Sequence, residues 1–368
     1  MFGSVLLLVA ALLHVYVFWR AASVPLVRRR ISRRALFVLG GVLWIGSALA
    51  RLWGHDGTGI LAAAVELVGM TWVATLFLAS VCLLVVDLLT GFGLLLTRLA
   101  PRLRGWALLA GAALSAVALV QGLRPPVARS YEVQVPGLPA ELDGTVLVAM
   151  SDLHLGSLLG DRWLAERVSQ VQELRPDLVV LLGDLIEGHG RPRNELLAGL
   201  DSLSAPMGVW AVPGNHESYG ERDGDSSFIE QSHIRMLENR WAQVRPGLVL
   251  AGVKDLTTAR RTGEGDEFVA KALADRPSGA TFLLSHTPWR AEQAASRGVG
   301  LMLSGHTHGG QIWPLGYLVG LRYPLLEGRY DVNGMTMIVC RGTGTWGPRM
   351  RLWRPGEILR ITLRSDEK

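Results

Sequence analysis

Apolar and polar positions divide this chain near residue 130. Before it, uncharged stretches cover Phe2–Trp19, Ala35–Ala50 and Gly105–Gly122, and a longer one, Ile60–Thr97, is broken only by Glu66 and Asp87. About 20 apolar residues cross a bilayer core as a helix. The simplest count is therefore four membrane helices, although the long third segment could hold two helices or one long tilted one. Gln121–Gly144, with Pro125, Pro126, Pro136 and Pro139, ends this region and carries a short strand at Tyr131–Val135. Beyond it, runs of strand length recur at Thr145–Met150, Leu178–Leu182, Gly208–Val212, Thr281–Leu284 and Val299–Leu303. Helical spacing occupies Arg162–Leu174, Asn194–Leu203 and Ser227–Asn239 between them. Met335–Cys340 and Glu357–Leu363 read as late strands with no helix between. Strands alternating with helices predict an α/β domain, and the late strands predict a second sheet packed on the first. The expected organisation is a polytopic, all-α membrane region over 1–124, a linker with one strand over 125–143, and an α/β domain over 144–368.

Charge sharpens that division. Met1–Ser130 holds twelve arginines, no lysine and three acids, a net +9, whereas the remaining 25 basic and 29 acidic residues give −4. A high pI often signals nucleic acid, but here the arginines flank apolar runs, the pattern of a membrane protein under the positive-inside bias. No nucleic acid is expected as a specific partner. Arg20, Arg28, Arg29, Arg30, Arg33 and Arg34 follow the first helix, and Arg98, Arg102 and Arg104 follow the third segment. Four spans put both clusters in the cytoplasm and the last domain outside it. The start lacks a basic segment and a cleavage site, so it reads as a retained helix. Cys82 and Cys340 form no zinc-like or disulfide-like spacing. Glu66 and Asp87 are functional candidates if they face the membrane interior, or ordinary residues at interfacial depth. His14 is expected to pack against a neighbouring helix.

The chemistry lies where the apolar strands end. Ser151-Asp152-Leu153-His154 follows the first, Gly183-Asp184 the second and Gly214-Asn215-His216-Glu217 the third. Ser285-His286 and Gly305-His306-Thr307-His308-Gly309-Gly310-Gln311 follow the next two. Open α/β sheets place ligands at the carboxyl ends of their strands. One Asp-x-His alone is weak, because alternate residues leave a strand together; five such ends are hard to produce by accident. Two carboxylates, one amide oxygen and four imidazoles exceed what one ion takes from protein. The mixture suits two transition-metal ions (Mn, Fe, Zn or Ni) better than Ca or Mg.

These blocks, in this order, resemble the calcineurin-like metallophosphoesterase superfamily, whose pattern is D-x-H, G-D, G-N-H-[ED], H and G-H-x-H. The match spans roughly Leu142–Leu363. The run Leu142–Gly156, the Gly-Gly-Gln after His308 and the segment Arg341–Arg351 look like its membrane-associated phosphodiesterase branch. The resemblance implies a two-sheet α/β/β/α sandwich that hydrolyses phosphoesters with two divalent metals. It implies that Asp152, His154 and His308 bind the first metal, that Asn215, His286 and His306 bind the second, and that Asp184 bridges them. His216 would be catalytic, hydrogen-bonding the phosphate and stabilising or protonating the leaving oxygen. The family often reads G-D-x-x-D, whereas Glu187 stands here; it supports the site or lies on the surface. Two cations about 3.5–4 Å apart can clamp the attacking and departing oxygens of a phosphoryl group.

Several residues stay open at this level. His189, between two glycines, either reaches substrate or sits in a plain loop, and His233 reads as a surface residue of a helix. Gly309 and Gly310 either bring His308 close to metal or make a turn. Ile312–Leu326, apolar and aromatic, is either a core hairpin or a loop at the mouth of the site that dips into the bilayer. Membrane tethering favours lipid-linked phosphates, with diester, monoester and pyrophosphate bonds all open. A cytoplasm-facing lipid-pathway pyrophosphatase needs the opposite topology. A non-catalytic scaffold conflicts with the complete ligand set, and a transporter with the few polar positions in the membrane part.

Overall fold

The computed structural model describes residues 2–54, 59–187, 194–217, 232–262 and 267–366. It divides into two compact units: residues 1–123 with Gly347–Leu352, and Arg124–Trp346 with Trp353–Lys368.

The first unit consists of α1 (Phe2–Ala21), α2 (Pro25–Arg30), α3 (Arg33–Leu49), α4 (Ile60–Leu89) and α5 (Ala100–Leu123). Among the described residues three helical stretches are long and apolar enough to cross a membrane, Arg33–Trp53, Ile60–Leu89 and Ala100–Leu123, and Val5–Ala21 is a shorter apolar helix. The third apolar segment holds one helix, not two. Its 30 residues extend about 45 Å, more than the roughly 30 Å hydrocarbon core. Asp87, in its last turn, is fully buried and Glu66, in its second turn, nearly so. Arg20 Nε lies 2.6 Å from Asp87 Oδ2. Arg104 donates to Asp87 Oδ1 from Nε at 3.0 Å and Nη2 at 2.8 Å, and the Tyr16 hydroxyl donates to Oδ2 at 2.7 Å. The ends of α1 and α4 and the start of α5 thus meet around one carboxylate. His14 accepts from Trp72 Nε1 at 2.9 Å, α1 against α4. Gly347–Leu352 packs within this unit, the Arg351 N–H donating to the Ala118 carbonyl at 2.9 Å.

The second unit runs β1 (Val127–Val135), β2 (Val146–Met150), α6 (Asp161–Glu173), β3 (Leu178–Leu181), α7 (Asn194–Asp201), β4 (Val209–Ala211), β5 (Arg235–Met236), β6 (Arg240–Arg245) and β7 (Leu248–Gly252). It continues with α8 (Leu256–Thr262), α9 (Phe268–Ala272), β8 (Ala280–Leu284), α10 (Ala291–Ser296), β9 (Leu301–Ser304), α11 (Leu315–Arg322), β10 (Gly328–Val332), β11 (Met335–Val339) and β12 (Glu357–Ser365). Among the described residues one sheet has the order β1-β12-β2-β3-β4-β5 and the other β10-β11-β9-β8-β7-β6. Every residue of β2, β3, β8 and β9 is buried, as expected of strands covered on both faces. Alternation separates the layers. Leu147 and Ala149 join Leu250, Phe282 and Leu303 between the sheets, whereas Val148 and Met150 face α6 and α7. Leu283 and Met302 face Phe268, Val269 and Ala294 on the far side. The result is the four-layer α/β/β/α sandwich.

Three details depart from the sequence reading. The strand before residue 143 is nine residues long and pairs in parallel with β12 along its whole length. Ser227–Asn239 is not a helix where it is described: Arg235–Met236 is an edge strand beside β4, and the Leu237 N–H donates to Ala211 at 2.8 Å. Buried Ile234 and Leu237 mimic a helical stripe at i, i+3, but the open edge of β4 claims their backbone. Ile312–Leu326 is not a hairpin, since α11 occupies its middle.

Candidate metal centre

Asp152 follows β2, Asp184 follows β3, Asn215 follows β4, His286 follows β8 and His306 follows β9. The five blocks therefore converge at one end of the two sheets. Potential donor atoms lie within 4.8 Å of one another in three groups: Asp152, His154 and His308; His154, Asp184 and His216; Asp184, His286 and His306. His154 Nε2 is 3.1 Å from His308 Nε2, which is 3.3 Å from Asp152 Oδ1. His286 Nε2 is 3.1 Å from Asp184 Oδ2, 3.2 Å from Asn215 Oδ1 and 3.1 Å from His306 Nδ1. Asp184 Oδ2 also lies 3.9 Å from His154 Nε2, between the two sets.

Imidazole nitrogens facing each other across 3.1 Å need a proton or a cation between their lone pairs. Donors bound to one ion at about 2.0–2.2 Å sit roughly 3–3.5 Å from each other, and the separations here fall in that range. The donor set therefore fits two divalent cations.

The backbone is bent to achieve this convergence. Asp152, His154, Asp184, His306 and His308 all have φ between 47° and 70°, each at a cost of order 1–3 kcal/mol for a residue with a side chain. Glycines make the close approaches possible. A Cβ on Gly214 would lie 2.1 Å from Asp184 Oδ1, and one on Gly305 1.6 Å from Ser151 Oγ. The Ser151 hydroxyl in turn donates to Asp152.

Electrostatics set the protons. Burial pushes the Asp152 carboxyl up, outweighing nearby His286 and His154. For Asp184 burial pulls the same way, but His286, His216 and His154 hold it well below the usual carboxylate range. Burial would lower His154, yet Glu187 and the two aspartates carry it up to about 9. His286 is raised well above its ordinary value, against burial, chiefly by Asp184. His306 falls to about 4, through burial and the neighbouring His286, and burial lowers His216. Proton and cation compete for these same nitrogens.

His216 differs from the other imidazoles. Its side chain is 18% exposed, its Nδ1 lies 3.1 Å from Glu187 Oε2, and its Nε2 is 4.0 Å from Asp184 Oδ2. It borders the cluster with one edge toward solvent. Glu187 is no bystander: its Oε2 is 2.5 Å from His154 Nδ1, leaving His154 Nε2 for the cluster. Two supports had no assigned role in the sequence. Glu217 accepts from the backbone N–H groups of Asp184, Leu185, Ile186 and Gly214 at 2.6–3.2 Å and so shapes the Asp184 loop. Tyr323 places its hydroxyl 2.8 Å from His306 Nε2. The acid in G-N-H-E hinted at the first; nothing local marks the second. His189 lies outside the described residues. His233 sits in a bend, exposed, against Asp201 and Leu203, and takes no part in the cluster.

Fold and candidate metal-binding groups are those of a metallophosphoesterase-type domain, and comparison with known proteins agrees. The family model for calcineurin-like phosphoesterase matches residues 145–310. An uncharacterized metallophosphoesterase of Aquifex aeolicus is 32% identical, over 64% of this chain and 90% of that protein. A transmembrane protein with metallophosphoesterase domain from Danio rerio is 36% identical, over 70% of this chain and 62% of its own length. A Campylobacter jejuni metallophosphoesterase is 31% identical, over 67% and 65%. The chain thus spans a little under two thirds of the length of these last two. It belongs to the calcineurin-like phosphoesterase family.

Proposed function

We propose that the chain is a multi-pass membrane protein whose catalytic domain lies outside the cytoplasm and cleaves membrane-associated phosphoesters, diesters first, with two transition-metal ions. Asp152, His154 and His308 would hold one ion, and Asn215, His286 and His306 the other, with Asp184 shared. The observation that carries this reading is the position of Asp184 Oδ2, within 3.1 Å of His286 Nε2 and 3.9 Å of His154 Nε2, between two complete donor sets. Bound there, the cations would neutralise phosphoryl charge and ready a water for in-line attack. The protein's own part is positional. Glu187 fixes the His154 ring, Glu217 fixes the Asp184 loop, and Tyr323 fixes His306. His216, partly exposed at the edge of the cluster, is placed to hydrogen-bond the phosphate and to donate to the departing oxygen.

The test uses purified chain assayed with bis-p-nitrophenyl phosphate and p-nitrophenyl phosphate in Mn, Zn, Fe and Ni, alongside elemental analysis. Close to two ions per chain and hydrolysis of the diester are expected. Full activity with one ion or none would overturn the dinuclear assignment. Asp184→Asn should weaken both ions together; loss of one alone would remove the shared role.

A further inference from the structure

We propose that α11, together with Trp353, is a foot seated in the bilayer surface that brings the phosphates of membrane lipids to the metal centre. This rests on the phosphoesterase reading above and names its substrate class. The first observation is exposure. Tyr317, Leu318 and Leu321 are 73%, 64% and 83% exposed, and Trp353 is 56% exposed. The opposite side of the helix is anchored, because Gly316 is buried and a Cβ there would meet the Gly309 carbonyl oxygen at 3.1 Å. One face of a firmly held helix therefore presents large apolar side chains to the surroundings.

The second observation is connection to the site. The helix begins seven residues after His308 and ends at Arg322, whose neighbour Tyr323 contacts His306. Arg322 lies 4.4 Å over the Trp289 ring, which stacks on Tyr323 at 5.4 Å. A helix of eight residues is only about 12 Å long, so the apolar face and the ligand His306 belong to one small region.

The third observation selects a bilayer as the occupant. Only residues 124–126 separate α5 from β1, a span of about 14 Å at full extension. A domain leashed that closely to a membrane helix stays at the membrane surface. Trp353 directly follows Gly347–Leu352, the segment held in the helical unit, and it contacts Trp313 at 5.1 Å, two residues before α11. Trp, Tyr and Leu beside one Arg are the residues that settle at the water–lipid boundary, rings at head-group depth and guanidinium toward phosphate.

The experiment uses the full chain in lipid nanodiscs. The exposed positions allow Leu318→Asp with Leu321→Asp without disturbing the core. Hydrolysis of a phosphodiester carried on a disc lipid should fall about tenfold or more, the effect of roughly 1.4 kcal/mol. Hydrolysis of bis-p-nitrophenyl phosphate and the melting temperature should hold. Equal activity on both esters, or a joint loss of both with melting temperature, overturns the foot while leaving the phosphoesterase reading intact. No hydrolysis of either ester by the parent chain with any metal would instead defeat that reading. A second readout needs no turnover: a fluorophore on Leu321→Cys, corrected for labelling of the parent chain, should be quenched by a quencher-bearing disc lipid. Absence of quenching, or shielding that appears only as the chain dimerises, also overturns the proposal.

Discussion

Glu187 Oε2 stands 2.5 Å from His154 Nδ1, so the carboxylate fixes which nitrogen of His154 faces the cluster. Metal-bound histidines are commonly held this way, and losing such a partner costs about 10–100-fold in affinity. Glu187→Ala should therefore weaken metal binding by about that factor, measured by competition with a chelator, while the fold survives. Unchanged affinity would make Glu187 a surface acid that happens to lie nearby.

His216 should act on turnover rather than on metals. Its ring borders both Glu187 and Asp184 but keeps an exposed edge. His216→Ala should retain the ions and lower kcat on an unactivated phosphodiester by about 10²–10⁴-fold, the usual worth of a general acid. A p-nitrophenyl ester should suffer less, because its leaving group needs little protonation. Loss of an ion would instead make His216 a ligand.

Gly214 is the tightest test of how the site is assembled. A Cβ there would lie 2.1 Å from Asp184 Oδ1 and 2.4 Å from its N–H nitrogen. Gly214→Ala should cost about 1–3 kcal/mol as overpacking and displace the shared carboxylate, so thermal stability and metal content should fall together. A variant with full metal content would show that the loop can shift without harm.

The ligand blocks were legible because polar residues ended buried apolar runs, a pattern that needs only local reading. The α/β domain followed from the alternation of strand and helix and its second sheet from the late strands, whereas the four-layer sandwich came from the family resemblance. What escaped depended on contacts distant in sequence. Glu187 and His154 are 33 residues apart, and Tyr323 reaches His306 only once α11 has turned the chain back. The helix itself was hidden because Leu315–Leu321 has no polar residue to mark a period. In β6, Arg240–Arg245, only partial alternation marks a strand, because it lies at a sheet edge.

Asp87 shows the same limit in the helical unit, since Arg20 is remote in sequence yet meets its carboxylate, as does Arg104. Removing one partner of a buried ion network is expensive, about 3–5 kcal/mol, whereas replacing the whole set with apolar residues is often neutral. Asp87→Leu should therefore lower thermal stability in detergent by that amount. The triple change with Arg20→Leu and Arg104→Leu should recover most of it. If the single change is silent, the network contributes nothing to stability.

Orientation is the last prediction. Arg20 and Arg104 meet at Asp87, which brings the end of α1, the end of α4 and the start of α5 to one end of the helical unit. Arg28, Arg29, Arg30, Arg33 and Arg34, between α1 and α3, and Arg98 and Arg102, just before and within α5, belong to the same end by chain connection. Only Arg51 and Arg124 border the other ends of α3 and α5. Short loops rich in arginine remain in the cytoplasm, so α5 should leave the membrane on the outer face and carry the catalytic domain with it. Alkaline phosphatase fused after Lys368 should then be active, and a fluorescent protein that matures only in cytoplasm should stay dark in the same place. The reverse pair of results would place the metal centre in the cytoplasm. The arginine pattern would then have been overridden, and a lipid-pathway pyrophosphatase acting on the inner leaflet would become the better reading of the same site.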